Sequence, residues 1–304
     1  MKQAFVTKNF RLPTLEQINL LNVIIEEYRE DGYTLTLRQL YYQMVARGYI
    51  ENSTHSYKRI VGIVGDARLA GLIDWSMITD RNRENLTPAH WVSPGEIIKA
   101  AARQFAIDKW RDQHYHIEVM VEKDALTGVL WPVCQELDIG FTANRGYNSL
   151  SNMYEAGQRM ESKAADGKTV VVFYLGDHDP SGIDMTRDVR ERLSLFSGLD
   201  VGNLEIDRLA LNFDQVETLN PPPNPAKETD SRYAAYLVEF GETSWELDAI
   251  EPRALADLVI SATEALRDNE KWEAAIEEEA AMKDILQEFS SNWRKANKDK
   301  RGSE

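Results

Sequence analysis

Residues 169–185 read T-V-V-V-F-Y-L-G-D-H-D-P-S-G-I-D-M. An apolar run of strand length stops at Gly176, and Asp177 and Asp179 follow, one residue apart. A continuous apolar run bounded by turn residues is the pattern of a strand covered on both faces, as in a parallel sheet. Pro180 and Gly182 then bend the chain into a periodic segment that predicts a helix over 181–195.

The same texture extends outward on both sides. I-E-V-M-V-E (117–122) reads as a strand, 125–137 as a helix, and I-G-F-T-A-N (139–144) as a strand. Helix is expected over 148–165, and strand again over 204–211. Strands alternating with helices imply an α/β class with a largely parallel sheet, whose chemistry gathers at the carboxyl ends of its strands. Two of those ends are acidic: Glu122, and the pair Asp177 and Asp179. Converging carboxylates repel and raise one another's pKa, and a divalent cation removes that penalty. An all-oxygen cluster suits Mg²⁺ or Mn²⁺. The plainer alternative is that one aspartate caps the following helix, which explains one of the pair better than both.

Upstream, the periodicity changes to helical. Pro13 and Thr14 open an apolar-periodic segment that closes at Asp31-Gly32. Thr36 can cap a second helix over 37–47, and Ser53 to Ser56 a third, in which Ile60, Ile63, Val64 and Ala67 share a face. Residues 72–79 read as a short strand. Three short helices and a strand form the pattern of a CAP-like winged helix-turn-helix. Lys58 and Arg59 lie opposite the apolar stripe of the third helix, where a DNA-facing helix carries charge. A small bundle with solvated charges matches the same pattern. A helix over 96–112 bridges to the α/β part, and a last helix, acidic first and basic last, is expected over 270–301. The expected division is 1–95 for the winged helix and 96–304 for the α/β domain with its helical extension.

The chain has 304 residues, 43% of them hydrophobic, enough to bury a core. Its net charge of −15 is the sum of +1 over residues 1–120 and −16 beyond, so it does not exclude a nucleic-acid partner for the near-neutral first part. The first residues lack the apolar core of a signal peptide, no apolar run is of membrane-spanning length, and Cys134 is the single cysteine. A cytoplasmic protein without a membrane partner is the expectation. His114 and His116 lack further ligands at zinc spacing, Cys134 sits in an apolar stretch, and no Gly-x-x-x-x-Gly-Lys-Ser/Thr loop occurs. His178 should point away from its flanking aspartates by strand alternation.

E-K-D-A-L (122–126) and G-D-H-D-P-S-G (176–182) resemble the two signature motifs of a Toprim domain, the Mg²⁺-binding fold of topoisomerases, primases and related nucleases. The Asp-x-Asp-Pro-x-Gly form is similar to the topoisomerase VI A subunit and its meiotic relative. N-R-G-Y-N-S-L (144–150) resembles that branch's Gly-Tyr-Pro segment, with Asn148 in place of the proline and Met153 where an arginine is usual. L-R-Q-L-Y-Y (37–42) resembles the Arg-Asp-x-Tyr-Tyr motif of the winged-helix domain carrying the cleaving tyrosine, and W-E-L-D-A-I-E-P (245–252) a segment downstream of many bacterial Toprim nucleases. The resemblance covers about residues 30–260 and fits the short "mini-A" proteins of bacteria, phages and plasmids.

The resemblance implies a type IIB topoisomerase A-like enzyme. Tyr42 would attack a phosphodiester, giving a 5′-phosphotyrosyl link and a double-strand break. Glu122, Asp177 and Asp179 would hold Mg²⁺, with Mn²⁺ as a substitute, while Lys58, Arg59 and Arg145 would contact DNA. It further implies a homodimer on double-stranded DNA, each tyrosine facing the other subunit's metal site, with a separate ATPase subunit as a further partner and a place at the nucleoid or on a phage or plasmid. On a helical projection Leu40, Tyr41, Met44 and Val45 share the apolar stripe. Tyr42 falls outside it, four residues after Arg38, whose guanidinium should favour the phenolate. The alternatives are a Toprim nuclease that hydrolyses DNA with water, and a non-catalytic winged-helix DNA-binding protein.

Overall fold

Local chemistry sets where each helix starts. The computed structural model describes residues 1–78, 88, 90–144 and 149–301, with side chains described up to 292. The first helices are α1 (Leu12–Glu30), α2 (Leu37–Ala46) and α3 (Thr54–Leu69), followed by α4 (Pro94–Gln104). Next come β1 (Tyr115–Val121), α5 (Thr127–Glu136), β2 (Gly140–Ala143), α6 (Leu150–Ala165), β3 (Thr169–Leu175), α7 (Pro180–Ser197) and β4 (Leu204–Ala210). The chain continues through α8 (Val216–Leu219), β5 (Pro223–Pro225), α9 (Tyr233–Phe240), β6 (Thr243–Trp245), α10 (Pro252–Leu266) and α11 (Asn269–Arg301). Thr36 opens α2 with a capping box, its hydroxyl accepting from Gln39 N while Gln39 Oε1 accepts from Thr36 N at 2.8 Å. Ser53 caps α3 and Ser149 caps α6 in the same way through one side chain each.

The chain divides into two units. The larger joins residues 1–82 to 116–264, and the smaller joins 83–115 to 265–304. In the larger, β1 to β4 form a parallel sheet of order β2-β1-β3-β4, with Val119 opposite Phe141 and Val172 opposite Ile206. The apolar run ahead of Gly176 is β3, buried from Val170 to Leu175. Val170, Val172 and Tyr174 face Met153 and Met160 of α6 and Val189 and Leu193 of α7, so alternate residues of one strand supply that core. The protein is α/β, as the alternation predicts.

The same unit contains the three N-terminal helices. Ile18, Leu21, Ile24 and Ile25 of α1 pack with Leu40, Tyr41 and Met44 of α2 and Ile60, Val64 and Ala67 of α3. The strand expected over 72–79 does not form in its described part, 72–78. Residues Trp75–Met77 make a tight 3₁₀ turn, and Ile78 makes only a single parallel bridge to Leu35. Asp74 curls the chain by accepting from Ser76 N at 2.9 Å, and Arg68 takes the carbonyls of Trp75 and Ile78 that a strand ladder would use. Residue 79 lies outside the described residues.

In the smaller unit α4 packs along α11, and Trp110 meets Trp272 edge-on with ring centroids 5.9 Å apart. Gln113 donates to Asp268 O and accepts from Asp268 N, both at 2.8 Å. The helix expected to reach Asp112 stops at Gln104. Phe105 turns extended, and Ile107 N finds its acceptor in Glu279 Oε2 at 3.1 Å rather than in a helical carbonyl. No helix among the described residues is long and apolar enough to cross a membrane.

Candidate active site

The strand order places a switch point between β1 and β3, because β2 extends the sheet beyond β1 and β4 beyond β3. Open α/β sheets bind ligands in the crevice outside the carboxyl ends at such a point. Glu122 and Asp177 stand there. Glu122 N donates to Leu175 O at 2.9 Å, and Asp177 N donates to Glu122 Oε2 at 2.8 Å. Two glycines make room for that carboxylate: a Cβ on Gly176 would lie 2.9 Å from Glu122 Oε2, and one on Gly182 3.2 Å from it. Burial, then the charge of Asp177, pushes the Glu122 carboxyl up to about 7.

The two aspartates take different roles. Asp179 is the N-cap of α7, accepting from Gly182 N at 2.6 Å and from the Ser181 hydroxyl at 2.9 Å. Asp177 accepts from Leu247 N through Oδ1 at 2.8 Å and pairs through Oδ2 with Lys123 Nζ at 2.8 Å. Burial raises the Asp177 pKa, with Lys123 opposing. The same ammonium lies 3.0 Å from Glu246 Oε2 and 3.1 Å from Asp248 Oδ1. Among the described residues no three His, Cys, Asp or Glu side chains are grouped as a metal centre. The donor chemistry at this edge, hard carboxylate oxygens with the pKa of both Glu122 and Asp177 raised, still suits a divalent cation, which would have to share Asp177 with Lys123.

Arg38 and Tyr42 meet the acidic edge from α2. Arg38 Nη2 lies 3.2 Å from Tyr42 Oη and 2.7 Å from Glu246 Oε2, and Nε lies 3.2 Å from Asp248 Oδ2. The contact expected between Arg38 and Tyr42 is therefore present, but its expected consequence is not. Tyr42 lies outside the apolar stripe of α2 and yet is only 6% exposed. Burial first, then the charges of Glu246 and Asp248, raise its pKa above that of a free phenol, and Arg38 offsets this only in part. Burial also raises Glu246, but Lys123 and Arg38 outweigh it and hold that carboxyl at about 2. Asp248, its side chain fully buried, is pushed by burial up to about 6 against the pull of the same two cations.

Tyr41 packs in the helical core and spends its hydroxyl locally, accepting from Ser53 N at 2.9 Å and lying 3.0 Å from Asn52 Oδ1. A pocket of about 250 Å³ opens beside both tyrosines, lined by Arg38, Asn52, Ser53, Thr54 and Tyr57. Lys58 and Arg59 are exposed on α3. Arg145 lies outside the described residues. His178 points away from the carboxylates into a ring of aromatics, with Nδ1 2.7 Å from Tyr236 Oη and Phe240 4.7 Å away between centroids; burial lowers it to about 4. Cys134 is buried, with its thiol pushed up to about 12.

Four residues at this edge escaped the sequence reading of the site. Lys123, Glu246 and Asp248 form the charged cluster. Arg208 of β4 braces the turn after β3, donating to the carbonyls of Asp177, Gly176, Gly182 and Leu211. The signal for Glu246 and Asp248 was present in W-E-L-D-A-I-E-P, whose first two acids flank one residue. Comparison of the chain with protein-family models, with curated proteins and with solved structures finds no match in any of the three.

Proposed function

We propose that this chain cleaves double-stranded DNA by transesterification, as a type IIB topoisomerase A-like enzyme. The observation that carries the reading is the shared nitrogen of Arg38, which joins the hydroxyl of Tyr42 to Glu246 at the acidic end of the sheet. Nucleophile candidate, guanidinium and carboxylates thereby stand in one polar network. In the reaction Tyr42 loses its proton, its oxygen bonds to phosphorus, the bond from phosphorus to the 3′-oxygen breaks, and that oxygen takes up a proton. Arg38 holds the phosphate and compensates its charge. Mg²⁺, or Mn²⁺ in its place, would be held by Glu122, Asp177 and Asp179 and would polarise the phosphate oxygens. Lys58 and Arg59 supply contacts to the DNA backbone from α3, seen as the recognition helix of a winged helix-turn-helix. A homodimer making paired cuts, served by a separate ATPase subunit, completes the reading.

The burial of Tyr42 favours a second reading, hydrolysis by water at the same acidic edge, because a phenol held neutral is a poor nucleophile. Supercoiled plasmid incubated with the protein and Mg²⁺ or Mn²⁺, then denatured with and without protease, separates the two. Transesterification leaves protein on the cut ends. Hydrolysis leaves them free, and a DNA-binding protein without catalysis leaves the plasmid uncut.

A further inference from the structure

We propose that Asn144 belongs to the cation site at the end of the sheet, its side-chain amide oxygen being a neutral ligand to a divalent cation that Glu122 holds. The inference rests on the reading that Glu122 binds a cation, and adds to it a residue outside the carboxylate motifs.

The amide is a buried polar group without a partner. Asn144 is 5% exposed, and neither its Oδ1 nor its Nδ2 makes a hydrogen bond. The carboxylates near it are engaged. Glu122 accepts from Asp177 N, Asp177 uses one oxygen on Leu247 N and the other on Lys123, and Asp179 caps α7. Buried amides are almost always paired, because an unmade hydrogen bond inside a fold costs the full desolvation of the group. An amide left open at this edge therefore fits a group that the chain does not itself supply.

Strand register places that amide beside Glu122. β1 and β2 run parallel, with Met120 opposite Thr142 and Val121 opposite Ala143. The ladder goes one step further, Asn144 N donating to Val121 O at 2.8 Å. Asn144 thus follows Ala143 as Glu122 follows Val121, and alternation puts both side chains on the face of Met120 and Thr142. Neighbouring strands lie about 4.8 Å apart, so one ion with bonds of about 2.1 Å can touch an oxygen from each. Oε2 of Glu122 holds Asp177 N, which leaves Oε1 for the ion.

The residue type suits the place. Hard divalent cations take amide carbonyl oxygens as well as carboxylates. A further carboxylate would add to the repulsion among Glu122, Asp177 and Asp179, whereas an amide adds a hard oxygen and no charge.

Titration calorimetry with Mn²⁺ alone, without DNA, at pH 8 tests the assignment. Asn144→Leu keeps the shape and removes the oxygen, and Asn144→Asp keeps an oxygen and adds a charge. Glu122→Gln marks which binding belongs to this site, because a chain of net charge −15 also takes up Mn²⁺ loosely elsewhere. The binding lost in Glu122→Gln should be about tenfold weaker in Asn144→Leu, and at least as tight as wild type in Asn144→Asp. In EDTA, Asn144→Leu should melt no lower than wild type, since an unpartnered amide gives the fold nothing to lose. Added Mn²⁺ should then raise the melting temperature of wild type more than that of the variant. Wild-type affinity in Asn144→Leu, weakened binding in Asn144→Asp, or no Glu122-dependent binding in wild type overturns the proposal. If Asn144→Leu does not fold, Asn144→Asp decides alone. Mn²⁺ binding that depends on Asn144, in a protein that cuts no DNA, would retire the cleavage reading and leave the ligand standing. Cleavage by a protein whose Mn²⁺ affinity ignores Asn144 would do the reverse.

Discussion

Arg38 Nη2 lies 3.2 Å from the hydroxyl of Tyr42 and 2.7 Å from Glu246 Oε2, while its Nε faces the buried carboxylate of Asp248. One side chain therefore serves both a tyrosine on α2 and two acids some two hundred residues later. Removing one partner of a buried ion pair costs roughly 3–5 kcal/mol. Arg38 is about half exposed and Lys123 remains, so Arg38→Met should cost less, about 2 kcal/mol in urea unfolding. Asp248→Asn should recover much of that loss, giving a coupling above ~1 kcal/mol in the double-mutant cycle. Strict additivity would show that the pair is not energetically joined.

Tyr41 and Tyr42 should separate stability from activity. Tyr41→Phe leaves Ser53 N without its acceptor and should cost about 1–3 kcal/mol, yet keep measurable cleavage. Tyr42→Phe removes the proposed nucleophile and should abolish covalent adduct while DNA binding persists. Loss of cleavage in a folded Tyr41→Phe protein, with Tyr42→Phe active, would exchange the two roles.

The Glu122 carboxyl makes stability depend on pH in a defined direction. Its pKa in the fold, about 7, lies above the ordinary 4.5. The folded protein therefore holds the extra proton between those values, and the stability this group contributes is present below pH 4.5 and lost as pH rises through 7. Glu122→Gln keeps an acceptor for Asp177 N without the charge. In EDTA its unfolding free energy should match wild type near pH 4.5 and exceed it by ~3 kcal/mol at pH 8. Millimolar Mg²⁺ should narrow the gap at pH 8 by stabilising only the wild type. A gap unchanged by Mg²⁺ would argue that Glu122 does not ligate it.

Asp177 and Asp179 should fail for different reasons. Asp179→Ala deletes a helix cap and should cost about 1 kcal/mol. Asp177→Ala deprives Leu247 N and Lys123 of their partner and should cost more, about 2–4 kcal/mol. Calorimetry of both variants, with cleavage lost in each, checks the division; equal costs would contradict it.

The sheet was legible because β3 announces itself through an apolar run that only a doubly covered strand tolerates, and β1 through the apolar residues on either side of its buried Glu118. Residues 72–78 were misread because Asp74 and Arg68 use the backbone groups a strand needs, an interaction invisible to a periodicity count. Tyr42 projects outside the apolar stripe of α2, yet the segment around Glu246 covers it, so a single-helix projection could not show its burial. Lys123 reads as one lysine after a motif glutamate. Its role depends on acids more than a hundred residues away in the chain. The acidic site was thus visible where its residues end strands, and hidden where tertiary contact alone assembles it.

The most direct test of the account is the chemical state of Tyr42 after DNA cleavage. The protein is incubated with end-labelled duplex and Mg²⁺, denatured, digested with trypsin and nuclease, and the peptide bearing the nucleotide is sequenced by mass spectrometry. The account predicts a phosphodiester link on Tyr42, to the 5′ end of the broken strand. Cut DNA with free ends, or a link on another residue, would contradict it.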